Sequence, residues 1–166
     1  MGSIPYAQQF KLPGKKSSLS QFARYLALAE SPEGRVMTAG QPIMYVFDNE
    51  LLTSPAGASL MEDTRIPDLV AAYSWGSAQF MWGPTGSGAP LHYHQDAWNA
   101  LVFGEKRWWF LPPANASSST RIVNRWDTSY HCTQRPGDFV YVPDSWSHAV
   151  FNTKTSAAIA IEFDFL

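Results

Sequence analysis

The residues of this chain with the clearest potential for chemistry are histidines spaced like metal ligands. The sequence contains four histidines, and the segment 90–94, Pro-Leu-His-Tyr-His, holds two of them, His92 and His94. Side chains at positions i and i+2 of a β-strand lie on one face, so a strand here would point both imidazoles at one place. Neutral imidazole binds iron, zinc, copper and nickel. A third ligand must come from elsewhere, and His148 is the predicted one.

Turn residues before each histidine segment strengthen this interpretation. Five residues separate Gly86 from His92, and five separate Gly137 from Pro143, which is followed by His148 and, further on, Asn152. Glycine permits tight turns before a strand, and proline is tolerated where a strand ends. The two halves, in this order, resemble the two-part cupin pattern. The competing interpretation, structural histidines bonded within a core, is the minority one for this set, but it is the one we adopt for His131.

The elements that must position these residues are mostly short strands. A helix is predicted over residues 17–30, where Leu19, Phe22 and Leu26 share a face. A strand at 42–47, a short helix within 56–63 and a turn at 66–68 follow, then a tight loop at 83–88 and a hairpin turn at Gly104-Glu105. Strands are predicted near 74–82, 90–94, 98–103, 106–111, 131–134, 138–142, 148–152 and 156–164. This count predicts a mainly β protein, a double-stranded β-helix (jelly roll) with short N-terminal helices.

Length and composition narrow the function classes. The 166 residues predict a single domain over 1–166, with a helical or extended segment at 1–40 and a barrel at 41–166. A net charge of −2, without a long basic run, argues against nucleic-acid binding. No apolar run reaches the length of a membrane span, and no signal-peptide core is seen at the N-terminus. No dimerisation helix is evident, so a monomer is the default expectation.

Three segments of the chain resemble the JmjC branch of the cupins, which are Fe(II)- and 2-oxoglutarate-dependent oxygenases. They are residues 90–94, residues 98–113 with Gly-Glu-Lys-Arg-Trp followed by Pro, and residues 135–152. The resemblance covers 73–165 well and 40–50 weakly. Within the family it is greatest to a branch of the endoplasmic-reticulum lumen that also carries His-x-His.

The resemblance implies a role for each matching residue. His92 and His148 match the two histidine ligands of iron, Lys106 matches the lysine that pairs with the distal carboxylate of 2-oxoglutarate, and Asn99 matches a cosubstrate-lining asparagine. The departure is His94, because active members usually place a carboxylate there to complete a two-histidine, one-carboxylate triad. A three-histidine site is preferred here. The alternative ligand is Asp96, since a two-residue shift keeps the same strand face.

Two functions therefore compete at this point. The first is a JmjC oxygenase that uses Fe(II) and 2-oxoglutarate to hydroxylate a side chain of a protein or peptide. The second is a catalytically impaired JmjC or cupin metal-binding module that acts through protein contacts; a plain three-histidine cupin acting on a small molecule is a further possibility. The family resemblance and the glycosylation sequon at Asn115 favour the endoplasmic-reticulum lumen, and otherwise a soluble cytoplasmic protein is expected.

Overall fold

The computed structural model consists mainly of β-strands and confirms the predicted double-stranded β-helix. It describes residues 19–33, 43–50, 52, 54–55, 57–64, 68, 71, 73–122 and 124–164. The elements are the helices α1 (Leu19–Glu30) and α2 (Ala58–Glu62) and the strands β1 (Val46–Asp48), β2 (Ser74–Gly83), β3 (Gly88–His92), β4 (Ala97–Leu111), β5 (His131–Gln134), β6 (Phe139–Val142) and β7 (Ser147–Asp164). A 3-10 turn spans Pro113–Asn115.

Two long strands, β4 and β7, run antiparallel to each other and belong to both walls of the barrel. The first half of β4 pairs with β6 and with the second half of β7, which also pairs with β2; β1 extends this wall beyond β2. The second half of β4 pairs with β5 and with the first half of β7, which also pairs with β3. Each long strand therefore supplies two of the eight strand segments that the sequence predicted.

The predicted hairpin turn at Gly104-Glu105 is wrong, because β4 continues through it. The pairing of β4 with β7 shifts register between Leu101 and Lys106, as expected for β-bulges. Gly104 has a φ of +95°, and a Cβ there would lie 2.1 Å from the carbonyl oxygen of Thr155. The glycine thus bends the strand from one wall into the other. The break predicted between the strands 148–152 and 156–164 is also absent, because β7 continues through this segment and bends alongside β4.

Helix α1 covers one wall of the barrel. Phe22 and Leu26 are buried and pack in one cluster with Val46 of β1, and the Phe22 ring meets the Trp82 ring edge-on. The predicted helix at 17–30 is confirmed from Leu19 onward; residues 17 and 18 lie outside the described residues. Its amphipathic face closes the outside of the β1–β2 layer.

The remaining predictions of strands, helices and turns are confirmed only in part. The strand predicted at 42–47 is shorter and later, at Val46–Asp48, and residue 42 lies outside the described part of the chain. The short helix predicted within 56–63 is confirmed as α2, whereas the turn at 66–68 falls mainly outside the described residues. The tryptophans Trp98, Trp108 and Trp109 are buried in the core. Among the described residues, no helix has the length and apolar character needed to cross a membrane.

Candidate metal centre and cavity

Three histidines converge at one end of the barrel. His92 is the last residue of β3 and is paired in register with His148, the second residue of β7. His94 lies two residues beyond the end of β3, so the predicted strand at 90–94 stops short of it. One ligand nitrogen from each of the three residues lies within 4.8 Å of the others. The three predicted ligands therefore lie together. Only His92 belongs to β3, so the alternation of side chains along a strand does not explain the position of His94.

Each of the three imidazoles is oriented by a backbone carbonyl. The Nδ1 of His92 lies 2.7 Å from the oxygen of Pro90, and that of His148 lies 3.1 Å from the oxygen of Trp146. The Nδ1 of His94 lies 2.6 Å from the oxygen of Gln95. A carbonyl only accepts, so Nδ1 carries the proton in each ring and Nε2 keeps its lone pair. This is the arrangement by which proteins fix the tautomer of metal-binding histidines.

Burial keeps two of these rings neutral. It lowers the pKa of His92 to about 4, with a smaller contribution from the neighbouring His94. Burial also lowers the pKa of His148 well below its ordinary value, and the nearby His92 and His94 lower it further. Three mutually repelling imidazolium ions could not share this space, whereas three neutral rings suit one cation.

The histidines line a cavity that continues into the barrel as far as Lys106. Lys106 is completely buried, and its Nζ donates to the Asn152 side-chain oxygen at 2.8 Å. The ring of Tyr45 lies beneath it, 5.7 Å from Nζ to the centroid. Burial lowers the pKa of Lys106 to about 7, with no charged group contributing. Among the described residues, this lysine therefore has no carboxylate partner.

Asn99 lies on the wall of the same cavity. It is buried, its Nδ2 is 3.8 Å from the sulfur of Met81, and its Oδ1 has no hydrogen-bond partner within the described chain. A buried amide oxygen without a donor is costly, so this atom is available for a ligand or an ordered water molecule.

Asp96, the alternative ligand, is held away from the histidine cluster. Its Oδ1 accepts a hydrogen bond from the hydroxyl of Tyr141 and another from the amide of Asp144 at 3.1 Å. The histidine cluster found within the described residues does not include it. Nearby, the amide of Ser145 donates to the carbonyl of His94 at 3.1 Å. Asp96 thus joins the loop after β3 to the loop before β7.

Some features of the site were not anticipated from the sequence. His131, predicted to be a bonded core residue, is exposed and lies 3.0 Å from an Arg107 nitrogen, because it sits on the open side of β5. Asn152 belonged to the quoted pattern but was given no role, although it contacts Lys106. The buried Trp108 also contacts the site, since its ring stacks against that of His148 with centroids 5.9 Å apart.

The comparisons with known proteins agree with this architecture. A family model described as "JmjC domain, hydroxylase" matches residues 125–163. JmjC domain-containing protein 8 of Homo sapiens is 33% identical over 139 residues, which cover 73% of this chain and 50% of that protein. Lysine-specific demethylase JMJ21 of Arabidopsis thaliana is 25% identical, over 98% of this chain and 20% of that protein.

Solved structures show the same fold. YcfD, a ribosomal oxygenase from Escherichia coli, matches with a TM-score of 0.54 and 16% identity over 74% of this chain and 32% of that chain. At this identity the likeness concerns the fold alone. The chain spans half the length of the first curated relative and a fifth of the second. The family match and the curated relatives identify the chain as a member of the JmjC domain family, near the JmjC domain-containing protein 8 branch.

Proposed function

We propose that this chain is a JmjC oxygenase domain that binds Fe(II) through His92, His94 and His148 and binds 2-oxoglutarate through Lys106. The observation that carries the proposal is the buried lysine without an anionic partner, which faces the same cavity as the histidines. An uncompensated buried ammonium is unfavourable, and a carboxylate supplies the missing charge. A dicarboxylate that reaches the metal with one end and the lysine with the other satisfies both ends of the cavity.

The residues present fit such a metal and cosubstrate. Three Nε2 atoms with fixed lone pairs would hold the metal, and a 2-oxo acid would complete its ligands. Asn99 lies on the cavity wall, where its amide N–H groups can donate to a carboxylate of the cosubstrate, whereas its Oδ1 can only accept and needs a donor such as water. Iron held there would supply oxygen activation coupled to the oxidative decarboxylation of 2-oxoglutarate. The chain itself orients the ligands, neutralises the distal carboxylate and shields the reaction from water.

We further propose that the substrate is a side chain of a protein or peptide, in keeping with the lysine demethylase among the relatives. Acting as a monomer in the endoplasmic-reticulum lumen remains a prediction from the sequence, and the single domain over 1–166 is likewise proposed. The net charge of −2 still argues against nucleic acid as the substrate.

The test is an anaerobic titration of metal-free protein with Fe(II) and then 2-oxoglutarate, followed by the visible metal-to-ligand charge-transfer band. We expect the band in the wild type, and succinate once oxygen is admitted. Lys106→Met should abolish the band and leave Fe(II) binding intact, whereas Lys154→Met, a matched change at an exposed lysine, should change neither. Iron binding without 2-oxoglutarate binding would contradict the proposal.

The histidines are tested in the same assay. We expect His92→Ala and His148→Ala to weaken Fe(II) binding by more than about 100-fold, beyond the loss usual when a residue that only supports a ligand is replaced. His131→Ala removes an exposed imidazole outside the cluster and should leave Fe(II) affinity unchanged. Equal affinities for all three variants would remove the histidines from the metal site.

The alternative function, a metal-binding module without oxygenase activity, is favoured by one observation. Within the described residues the cluster contains histidines and no carboxylate. Replacing a carboxylate with imidazole makes the site more positive by one charge and alters the redox properties of a bound metal. This alternative predicts tight metal binding, no turnover of 2-oxoglutarate, and partner binding that survives His92→Ala.

A further inference from the structure

The buried end of the cavity contains a chain of polar contacts that determines how Lys106 is presented. Lys106, Asn152 and Ser87 are all fully buried, and they come from three different strands or turns. Lys106 Nζ donates to Asn152 Oδ1 at 2.8 Å, and Asn152 Nδ2 donates to Ser87 Oγ at 2.9 Å. Ser87 Oγ in turn donates to the carbonyl of Pro84 at 2.6 Å. Every link of this chain lies out of contact with water.

The donor and acceptor inventory fixes the direction of each bond. A hydroxyl has one proton, and Ser87 gives it to a carbonyl, which only accepts. Towards Asn152, Ser87 can therefore only accept, so the amide NH₂ of Asn152 faces Ser87 and the amide oxygen faces Lys106. The backbone holds the same arrangement: the amide of Asn152 donates to the carbonyl of Ser87 at 2.7 Å, and that of Gly86 donates to the carbonyl of Asn152 at 2.8 Å.

The amide oxygen orients the lysine without neutralising it. An ammonium has three N–H donors, and Asn152 uses one of them. A neutral acceptor forms a weaker bond to a cation than a carboxylate does, so the charge on Lys106 stays available. An aspartate at the same place would instead form a buried ion pair and leave no net charge for a ligand.

We infer that Asn152 is a positioning residue for cosubstrate binding: held by Ser87, its amide oxygen aims the Lys106 ammonium and leaves it free to bind the distal carboxylate of a 2-oxo dicarboxylic acid. This inference rests on the proposed function. It also predicts that the site binds a 2-oxo dicarboxylic acid more tightly than a 2-oxo monocarboxylic acid of the same chain length. The neutrality of residue 152 is then as necessary as the charge of residue 106.

The test compares two probes that differ only at the distal end, 2-oxoglutarate and 2-oxopentanoate, in the Fe(II)-loaded protein without oxygen. We expect Asn152→Asp, in which the Ser87 hydroxyl can turn to donate to the new carboxylate, to weaken 2-oxoglutarate binding by about 100-fold, as is usual when a buried charge loses its partner. Binding of 2-oxopentanoate and of Fe(II) should match the wild type. Asn115→Asp adds the same charge at an exposed position and should change nothing.

The two probes distinguish a loss of the proposed positioning from a general structural defect. A purely structural defect would weaken both probes equally and would overturn the inference, as would an Asn152→Asp variant that binds 2-oxoglutarate like the wild type. If Asn152→Asp does not fold, Ser87→Ala frees the amide to rotate, and a selective loss of 2-oxoglutarate binding supports the inference while unchanged affinity contradicts it. A wild-type protein that binds Fe(II) but neither acid would instead overturn the proposed function, and the inference with it.

Discussion

The two ends of the cavity are built in different ways. At the metal end, His92 and His148 are each oriented by the carbonyl two residues earlier in the chain. At the buried end, Lys106 is oriented by Asn152, 46 residues away, and Asn152 by Ser87, 65 residues away. The first arrangement is local and follows from the conformation of a strand end. The second exists only once β4, β7 and the turn before β3 have come together.

The electrostatics of the two ends differ as well. Burial lowers the pKa of His92 and leaves a neutral ring, which is the state that binds a metal. Burial acts in the same direction on Lys106, but the neutral lysine is the state that cannot bind an anion. The neutral state therefore suits the proposed metal site, whereas at Lys106 burial disfavours the protonated state that the proposed anion would need.

The largest expected effect concerns that buried charge in the metal-free, cosubstrate-free protein. With a pKa of about 7 in the fold and 10.5 ordinarily, Lys106 binds fewer protons folded than unfolded over this range. Stability must therefore rise with pH, by about 3 kcal/mol between pH 7 and roughly pH 9.5. Urea unfolding of wild type and Lys106→Met at both pH values isolates this contribution, which the variant should lack.

The wild type and Lys106→Met should also differ in stability at pH 7 itself. At pH 7 we expect Lys106→Met to be more stable than the wild type, because it removes a buried charge and keeps a side chain of similar length. Lys154→Met, at an exposed position, should leave the pH dependence unchanged. A wild type whose stability does not rise with pH relative to Lys106→Met would show that Lys106 keeps its ordinary pKa in the fold because its charge is compensated there, and the contrast between the two ends would be lost.

A smaller effect is expected at the bend that brings Lys106 into the cavity. A Cβ on Gly104 would lie 2.1 Å from the carbonyl oxygen of Thr155, whereas one on Gly137, also at positive φ, would meet nothing within 4 Å. Both substitutions by alanine carry the cost of an unfavourable φ, but only Gly104→Ala adds a backbone clash. We expect Gly104→Ala to lower the free energy of unfolding by about 2 kcal/mol more than Gly137→Ala. Equal losses would mean that β4 can bend elsewhere.

Local features of the fold could be predicted from the sequence, whereas features that depend on distant segments could not. The strand-rich pattern and the closeness of the three histidines are predictable from the sequence because alternation and spacing are local properties. Gly104-Glu105 predicts a hairpin turn, wrongly, because a glycine between two apolar runs is typical of one. The sequence does not distinguish a bulge within one bent strand from a turn between two, since both need a positive φ. The difference lies in whether β7 bends alongside, which is a long-range property.

The residues of the site also differ in whether a local signal in the sequence indicates their roles. The role proposed for Lys106 comes from the family resemblance and not from a local signal, since a lysine next to a predicted hairpin turn is usually exposed. The Asn152 contact could not be predicted, because its partner lies on another strand and the pairing register sets the approach. His131 was misassigned as a core residue, because a single histidine in a short strand gives no indication of which face is open.

The smallest expected effect tests how far the metal end is local. Asp96 lies two residues after His94, and its carboxylate accepts hydrogen bonds from Tyr141 and Asp144. Asp96→Asn keeps an oxygen acceptor for both donors, so we expect Fe(II) affinity to fall by no more than about 10-fold, the lower limit for outer-shell changes. If Asp96 were a ligand, the loss would approach that of His92→Ala measured in the same titration. A loss that small would exclude Asp96 as a ligand and would leave it the role of joining the loop after β3 to the loop before β7.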